Sequence, residues 1–469
     1  MVPQPANDII TQLIKLTQAW AWRGKFYPEH ARELRKKMIL QNHTHYLERI
    51  PVYAKFAQEE GIGPINDLKT IKEHLMSTDD LFKSYNQNWL DEGDYTSMNT
   101  WLSQIFHQPV EVDAKEIQSI DEWIKCLEKD GIRLVYSSGT SGNFSFIPRD
   151  QMNWRLFKTT STNYIVPLMM YEKVGTLWQQ ILVRLGTKIL SPTNFEKMTR
   201  KVSATSEYDA FFLDFVNGST GNQVLERELA PLFRKHVFLY ETDLSPSVLR
   251  LVTRGPKSEA DRKKLSKLQE VVVERKEENY IKVIDQLKKS TKEGQKVFIF
   301  GTTHQYMELC ETIAGHGLRI TLKEGSLVLF GGGWKSFTGE RISREELIRM
   351  MTTNLNLPPD RILEGYSMTE MNAFTLRCDH GRFHIPPTIE PVIFNEDLSP
   401  MEGNDLHGIF GFLDPLAISY PGFIISGDEV HFVDGDCPCG LTGAAVTEIG
   451  RANAREVKGC GGIMASIVA

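Results

Sequence analysis

Three short β-rich runs constrain this chain more than any other feature. Each ends in a turn of small or polar residues, and helical stretches separate them. Residues 297–300 run into Gly301-Thr302-Thr303, 327–330 into Gly331-Gly332-Gly333, and 361–365 into Tyr366-Ser367-Met368-Thr369-Glu370. A helical pattern follows the first run through 306–313. Ser343-Arg344-Glu345-Glu346 has capping-box spacing and opens a second helix that must stop by Pro358-Pro359. Strand, helix, strand, helix, strand at this spacing predicts a parallel sheet with right-handed crossovers. In open α/β sheets ligands sit outside the carboxyl ends of the strands. One cleft is therefore expected to be lined by Gly-Thr-Thr, Gly-Gly-Gly and Thr-Glu.

The rest of the chain frames that unit. Ile9, Leu13, Leu16 and Trp20 recur at helical spacing, as do residues of 53–56 and 68–75, so the N-terminal region is expected to pack as helices. Segment 177–296 holds strand-like pieces at 211–215 and 237–240. A stretch at 257–296 follows, half of whose residues are charged, with an apolar stripe through Leu265, Leu268, Val272, Tyr280, Val283 and Leu287. That stripe predicts an amphipathic helix pair with a solvated charged face. The 469 residues carry 54 Lys and Arg against 60 Asp and Glu. This balance lacks the basic footprint of a nucleic-acid binder, and 41% hydrophobic residues suffice for a packed core. No run approaches the roughly 20 apolar residues a membrane span needs; the best, 408–426, is broken by Asp414, Pro415 and Pro421. With no basic leader before a hydrophobic stretch and six scattered cysteines, a cytoplasmic protein without disulfides is expected.

Residues 134–136 lead into Ser137-Ser138-Gly139-Thr140-Ser141-Gly142-Asn143. A strand ending in such a turn offers backbone N–H groups and hydroxyls to phosphate oxygens, although an ordinary turn fits the loop taken alone. No Gly-Lys-Ser/Thr follows, which excludes a Walker A loop. In order along the chain come this loop, Gly331-Gly332-Gly333-Trp334-Lys335, Gly365-Tyr366-Ser367-Met368-Thr369-Glu370, Ser426-Gly427-Asp428 and Ile449-Gly450-Arg451. The set resembles the adenylate-forming superfamily, whose members activate a carboxylic acid with ATP and pass the acyl group to a thiol. Within it the chain most resembles the LuxE-type acyl-protein synthetases. The pieces that carry this are Gly332-Gly333-Trp334-Lys335, Ser419-Tyr420-Pro421-Gly422, Cys437-Pro438-Cys439-Gly440 and Glu456-Val457-Lys458-Gly459-Cys460.

The resemblance implies an α/β adenylation domain: parallel sheets flanked by helices, with a helical N-terminal part (1–130), an ATP- and acyl-binding core (131–440) and a short tail (441–469). It marks 177–296 as a family-specific insertion. Ser137, Ser138, Gly139, Thr140, Ser141 and Gly142 would hold the pyrophosphate, and Glu370, beside Thr369, would ligate the Mg²⁺ that bridges the phosphates. Tyr366 would stack on adenine over Gly331, Gly332 and Gly333. Asp428 would bind the ribose hydroxyls, with Arg451 nearby. Taken singly, Glu370 also reads as a helix cap, Tyr366 as core and Asp428 as a turn residue.

Cys378, His384, Cys437 and Cys439 supply three thiols and an imidazole, the donor set of a closed tetrahedral zinc site; His380 competes for the histidine position. Cys460 stands among Gly459, Gly461 and Gly462 after Arg455 and Lys458, so a mobile, cation-flanked thiolate is expected there. The resemblance implies that it carries the acyl group as a thioester and hands it to an acyl-CoA-reductase-like protein. Most of the superfamily has a further C-terminal domain with a catalytic lysine. The resemblance leaves it out here, and Lys458 or Lys335 is left to supply that cation. Two alternatives accompany this reading: a CoA ligase of the phenylacetate type, and a non-catalytic scaffold with the same fold.

Overall fold

The computed structural model describes residues 4–24, 26–137, 143–170, 207–332 and 341–452. They group into two units that do not follow chain order. One gathers 4–137, 143–167 and 368–452; the other holds 168–170, 207–332 and 341–367.

The first unit begins with helices, as the periodicity predicts. Gln4–Ala21 buries Ile10, Leu13, Ile14 and Trp20. Pro28–Arg49 and Pro51–Glu59 both open on proline, whose fixed φ and missing N–H suit a first helical turn. Asp67 caps Leu68–His74 by accepting from the Thr70 N–H at 2.8 Å. Strand β1, Ser77–Thr78, is two residues long and runs straight into a 3₁₀ turn, Asp79–Lys83. Strands β2 (Arg133–Ser137) and β3 (Ser145–Arg149) pair antiparallel on either side of the 138–142 loop.

In the second unit the expected parallel sheet is present. Strands β4 (Tyr208–Asn217), β5 (Lys235–Asp243), β6 (Lys296–Thr302), β7 (Leu327–Gly331) and β8 (Ile362–Tyr366) lie in the order β5-β4-β6-β7-β8, every neighbouring pair parallel. The stretch marked as an insertion supplies two of these strands, with β4 hydrogen-bonded between β5 and β6. Its charged part folds as helices Glu259–Gln269 and Lys276–Lys292 joined by a π-helical turn, Glu270–Glu274. Only the second helix buries its stripe, through Tyr280, Val283 and Leu287. Those side chains pack on β4, β6 and helix Thr303–Gly315. On the other sheet face Phe212, Phe233, Phe238 and Phe298 stack, so both faces are covered, as a parallel sheet requires. Ser343 accepts from the Glu346 N–H at 3.1 Å to cap helix Arg344–Leu355. Gly331 sits where β7 and β8 approach closely: an added Cβ would lie 2.8 Å from the Gly365 carbonyl oxygen.

The chain then returns to the first unit. Strands β9 (Thr375–Leu376), β10 (Phe383–His384), β11 (Glu390–Phe394), β12 (Pro400–Met401), β13 (Asp405–Leu413), β14 (Phe423–Asp436) and β15 (Thr442–Arg451) follow. A sheet in the order β10-β15-β14-β13-β11-β12 is antiparallel throughout, and β1 adds to β14 in parallel. The parallel arrangement expected of the whole domain is thus confined, among the described residues, to the second unit and this one edge. Connections as short as those from β11 to β15 can close hairpins but cannot make parallel crossovers.

Candidate active site and metal cluster

A group of charged side chains in the first unit centres on Glu370. Pairing of Ser77 with Ile424 and Thr78 with Ile425 delivers the chain to Asp79 just as β14 reaches Asp428. Asp428 and Arg451 are register partners on β14 and β15, and Arg451 Nη1 lies 3.1 Å from Asp428 Oδ1. Glu370 is buried. Burial, then the nearby Asp79 carboxylate, push its carboxyl up to about 7, against the pull of Arg149 and Lys83. Burial also raises Asp79, which feels Lys83, Asp80, Arg451 and Asp428. Burial opposes the charge on Lys83, but Asp80 at 2.7 Å, Asp79 and Glu370 outweigh it and raise the ammonium above its ordinary value. A buried carboxyl with a second carboxylate nearby is an arrangement that a divalent cation relieves, and the cations near them suit phosphate oxygens.

The backbone at Glu370 is held by a buried guanidinium. Arg149, at the end of β3, is fully buried; its Nη2 donates to the Thr369 carbonyl at 2.8 Å and to the Tyr420 hydroxyl at 3.3 Å. Tyr420 donates in turn to the Glu370 carbonyl at 3.0 Å. Arg149 Nε reaches Asn372 Oδ1 at 3.3 Å, while the Asn372 N–H and side-chain amide both donate to Asp414 Oδ2, at 2.7 and 3.0 Å. Burial pushes Asp414 up to about 6 against these donors and Arg149. The network fixes both carbonyls flanking the Glu370 peptide, which orients its side chain.

Of the residues singled out from sequence, Ser137, Thr369, Glu370, Asp428 and Arg451 belong to the first unit, whereas Gly331, Gly332 and Tyr366 belong to the second. Gly331 pairs with Gly365 at the carboxyl ends of β7 and β8, next to the Gly301–Phe330 pair of β6 and β7. Ser138, Gly139, Thr140, Ser141, Gly142, Gly333, Lys335, Lys458 and Cys460 lie outside the described residues. Sequence reasoning missed Asp79, Lys83 and Arg149. Asp79 and Lys83 stand in no glycine-rich motif, and it is the pairing of β1 with β14 that brings this part of the chain to the Asp428 end of β14. Arg149 carried one usable signal, an arginine ending a short apolar strand.

The four expected metal ligands do meet. Ligand atoms of Cys378, His384, Cys437 and Cys439 all lie within 4.8 Å of one another. Cys378 Sγ is 3.8 Å from Cys437 Sγ, and Cys439 Sγ is 3.2 Å from His384 Nε2. Two turns of the same design present the thiols. The Cys378 N–H donates to the Arg382 carbonyl and the Gly381 N–H to the Cys378 carbonyl; the Cys437 N–H donates to Leu441 and the Gly440 N–H to Cys437. Gly381 and Gly440, at φ 76° and 87°, supply the left-handed residue that each turn needs. Hydrogen bonds from Cys439, then His384, hold the Cys378 thiol far below its ordinary value, at about 3, and Cys439 is pushed up. The histidine is His384, on β10 opposite Ala445. This donor set fits a borderline or soft cation such as zinc.

The family model for LuxE acyl-protein synthetases matches residues 269–468. A long-chain-fatty-acid–luciferin-component ligase of Aliivibrio fischeri is 23% identical over 193 residues, 41% of this chain and 50% of its own length. The Vibrio harveyi protein of the same name is 23% identical over 171 residues, 36% of this chain and 44% of its own. The chain therefore spans about half the length of the curated relatives it matches. Among solved structures, an open conformation of 2-hydroxyisobutyryl-CoA ligase, in complex with its acyl-AMP and CoA, superposes with a TM-score of 0.52 at 11% identity. The match covers 92% of this chain and 71% of that one. The chain shares its fold with that CoA ligase, and the resemblance to LuxE acyl-protein synthetases holds over the C-terminal part of the sequence. Among the described residues no helix is long and apolar enough to cross a membrane.

Proposed function

We propose that this chain, an adenylate-forming fold resembling the LuxE-type synthetases over residues 269–468, is an ATP-dependent acid–thiol ligase acting on a fatty acid in the cytoplasm. The observation that carries the proposal is the buried Glu370 carboxyl with the charges of Asp79, Arg149 and Lys83 near it, Asp79 in turn lying near the Asp428–Arg451 pair. Glu370 and Asp79 would hold Mg²⁺, which when bound neutralises phosphate charge. Asp428 would accept from the ribose hydroxyls. Arg451 and Lys83 would meet phosphate oxygens, as would Ser137 with Ser138, Gly139, Thr140, Ser141 and Gly142. Tyr366, Gly331, Gly332 and Gly333 keep the adenine role assigned from sequence.

In the first step a carboxylate oxygen of the acid bonds to the α-phosphorus of ATP, and pyrophosphate leaves with the electron pair of the broken P–O bond. In the second, the Cys460 thiolate, formed by loss of its proton to solvent beside Lys458, attacks the acyl carbon and AMP leaves. The resulting thioester then passes to a thiol on a reductase-type protein. Arg149 and Tyr420 are positioning residues that fix the Thr369 and Glu370 carbonyls, and the Arg149 charge also favours the Glu370 carboxylate.

The test uses full-length protein, Mg-ATP and labelled acids of graded chain length, without CoA. We expect label that survives denaturation, is released by neutral hydroxylamine and disappears in Cys460→Ser, while acid-dependent pyrophosphate exchange persists in that variant and falls in Glu370→Ala. Turnover only after CoA is added would instead establish a CoA ligase. Absence of exchange with every acid, together with no ATP binding, would leave a scaffold.

We further propose that Cys378, His384, Cys437 and Cys439 hold a structural zinc ion that ties the β9–β10 hairpin to the end of β14. One zinc per chain is expected by elemental analysis, lost in Cys439→Ser together with cooperative melting of that region.

A further inference from the structure

We propose a second metal site, distinct from the thiolate cluster, made by Asp405, His407 and His431 on the solvent face of the antiparallel sheet. It would take a borderline divalent transition ion of the zinc, nickel or copper type. Asp405 and His407 are two apart on β13 and so share a face. His407 is the register partner of His431 on β14. One ligand atom from each of the three lies within 4.8 Å of the others. The two imidazoles lie face to face, 4.0 Å apart and 9° from parallel, and His431 Nε2 is 2.8 Å from Asp405 Oδ1.

A third strand shows that the arrangement is built. On β15 the register jumps between the His431–Glu448 and Phe432–Val446 pairs, leaving Thr447 as an extra residue. Such a bulge re-aims a side chain, and here Thr447 Oγ1 comes to 2.9 Å from His431 Nδ1. An imidazole whose Nδ1 is engaged presents Nε2 outward in fixed orientation, which is the usual role of an outer partner to a ligating histidine. Two imidazole nitrogens and one carboxylate oxygen, open to solvent on the remaining side, suit zinc, nickel or copper(II). All-oxygen magnesium and calcium sites need a different donor set.

To test this, full-length protein is first loaded with one equivalent of Zn²⁺, gel-filtered, and then titrated calorimetrically with further Zn²⁺. One additional equivalent should bind. His407→Ala and His431→Ala should each weaken it at least tenfold. Thr447→Val, which keeps both imidazoles, should weaken it by roughly ten- to a hundredfold. Cys439→Ser should abolish the first class of binding and leave the second intact. The proposal is overturned if no second equivalent binds, or if its affinity is the same in both histidine variants as in the parent. His407 is exposed and His431 and Thr447 are half-buried on their strands, and unchanged thermal melts of these metal-free variants would verify that they fold.

Discussion

Glu370 illustrates how much one side chain owes to distant sequence. Its raised proton affinity comes from burial and from Asp79, 291 positions earlier in the chain. A carboxyl that titrates near 4.5 when unfolded and about 7 when folded takes up a proton on folding. Its penalty is absent below pH 4.5, grows as pH rises from 4.5 to 7 and is complete above. Urea unfolding of Glu370→Gln should therefore show a stability advantage over the parent that appears across this window and levels off on the order of 3 kcal/mol. A difference between the two proteins that does not vary with pH would refute the assignment. The carboxylate itself was legible in sequence, from its place after a strand end in an ordered set of motifs. Asp79 and Lys83 were not, because their place in the site depends on the pairing of β1 with β14, which no local pattern reports. The three thiols of the cluster were legible from their spacing and donor chemistry, whereas the choice of His384 over His380 was not and came only with the structure.

At the scale of elements, the parallel sheet was readable because each strand is a short apolar run closed by glycine, and the helix after β7 carries its own cap. Glycine at 331 is needed for spacing rather than for turn geometry. Gly331→Ala would press a methyl into the Gly365 carbonyl and should destabilise the protein by about 1–3 kcal/mol in urea melts. What periodicity could not reveal was that β4 and β5 belong to this sheet, because a long, highly charged helical region separates β5 from β6. Nor could it reveal that 390–451 is antiparallel: a half-buried alternating strand reads the same in either direction, and only the short connections settle it.

On the scale of the molecule, the first unit is closed by residues far apart in sequence. Ile10, Ile14 and Met38 share a core cluster with Leu416 and Ile418, Trp20 Nε1 donates to the Thr442 carbonyl at 2.9 Å, and Glu390 bridges Arg35 and Lys72. A chain ending at residue 367 should leave the N-terminal helices without these partners. Hydrogen exchange should then find their amides unprotected, while the same amides are slow in the full chain; equal protection in both would contradict this. The two-residue strand β1 makes the point sharply, since Ser77 waits for Ile424. A ribosome adding roughly 5–20 residues each second needs about 20–70 s to cover that distance. For all that time the helix faces that Leu416 and Ile418 will cover lack those partners, and only the packing of the first helices on one another, through Leu13, Ala31 and Leu34, is open to them.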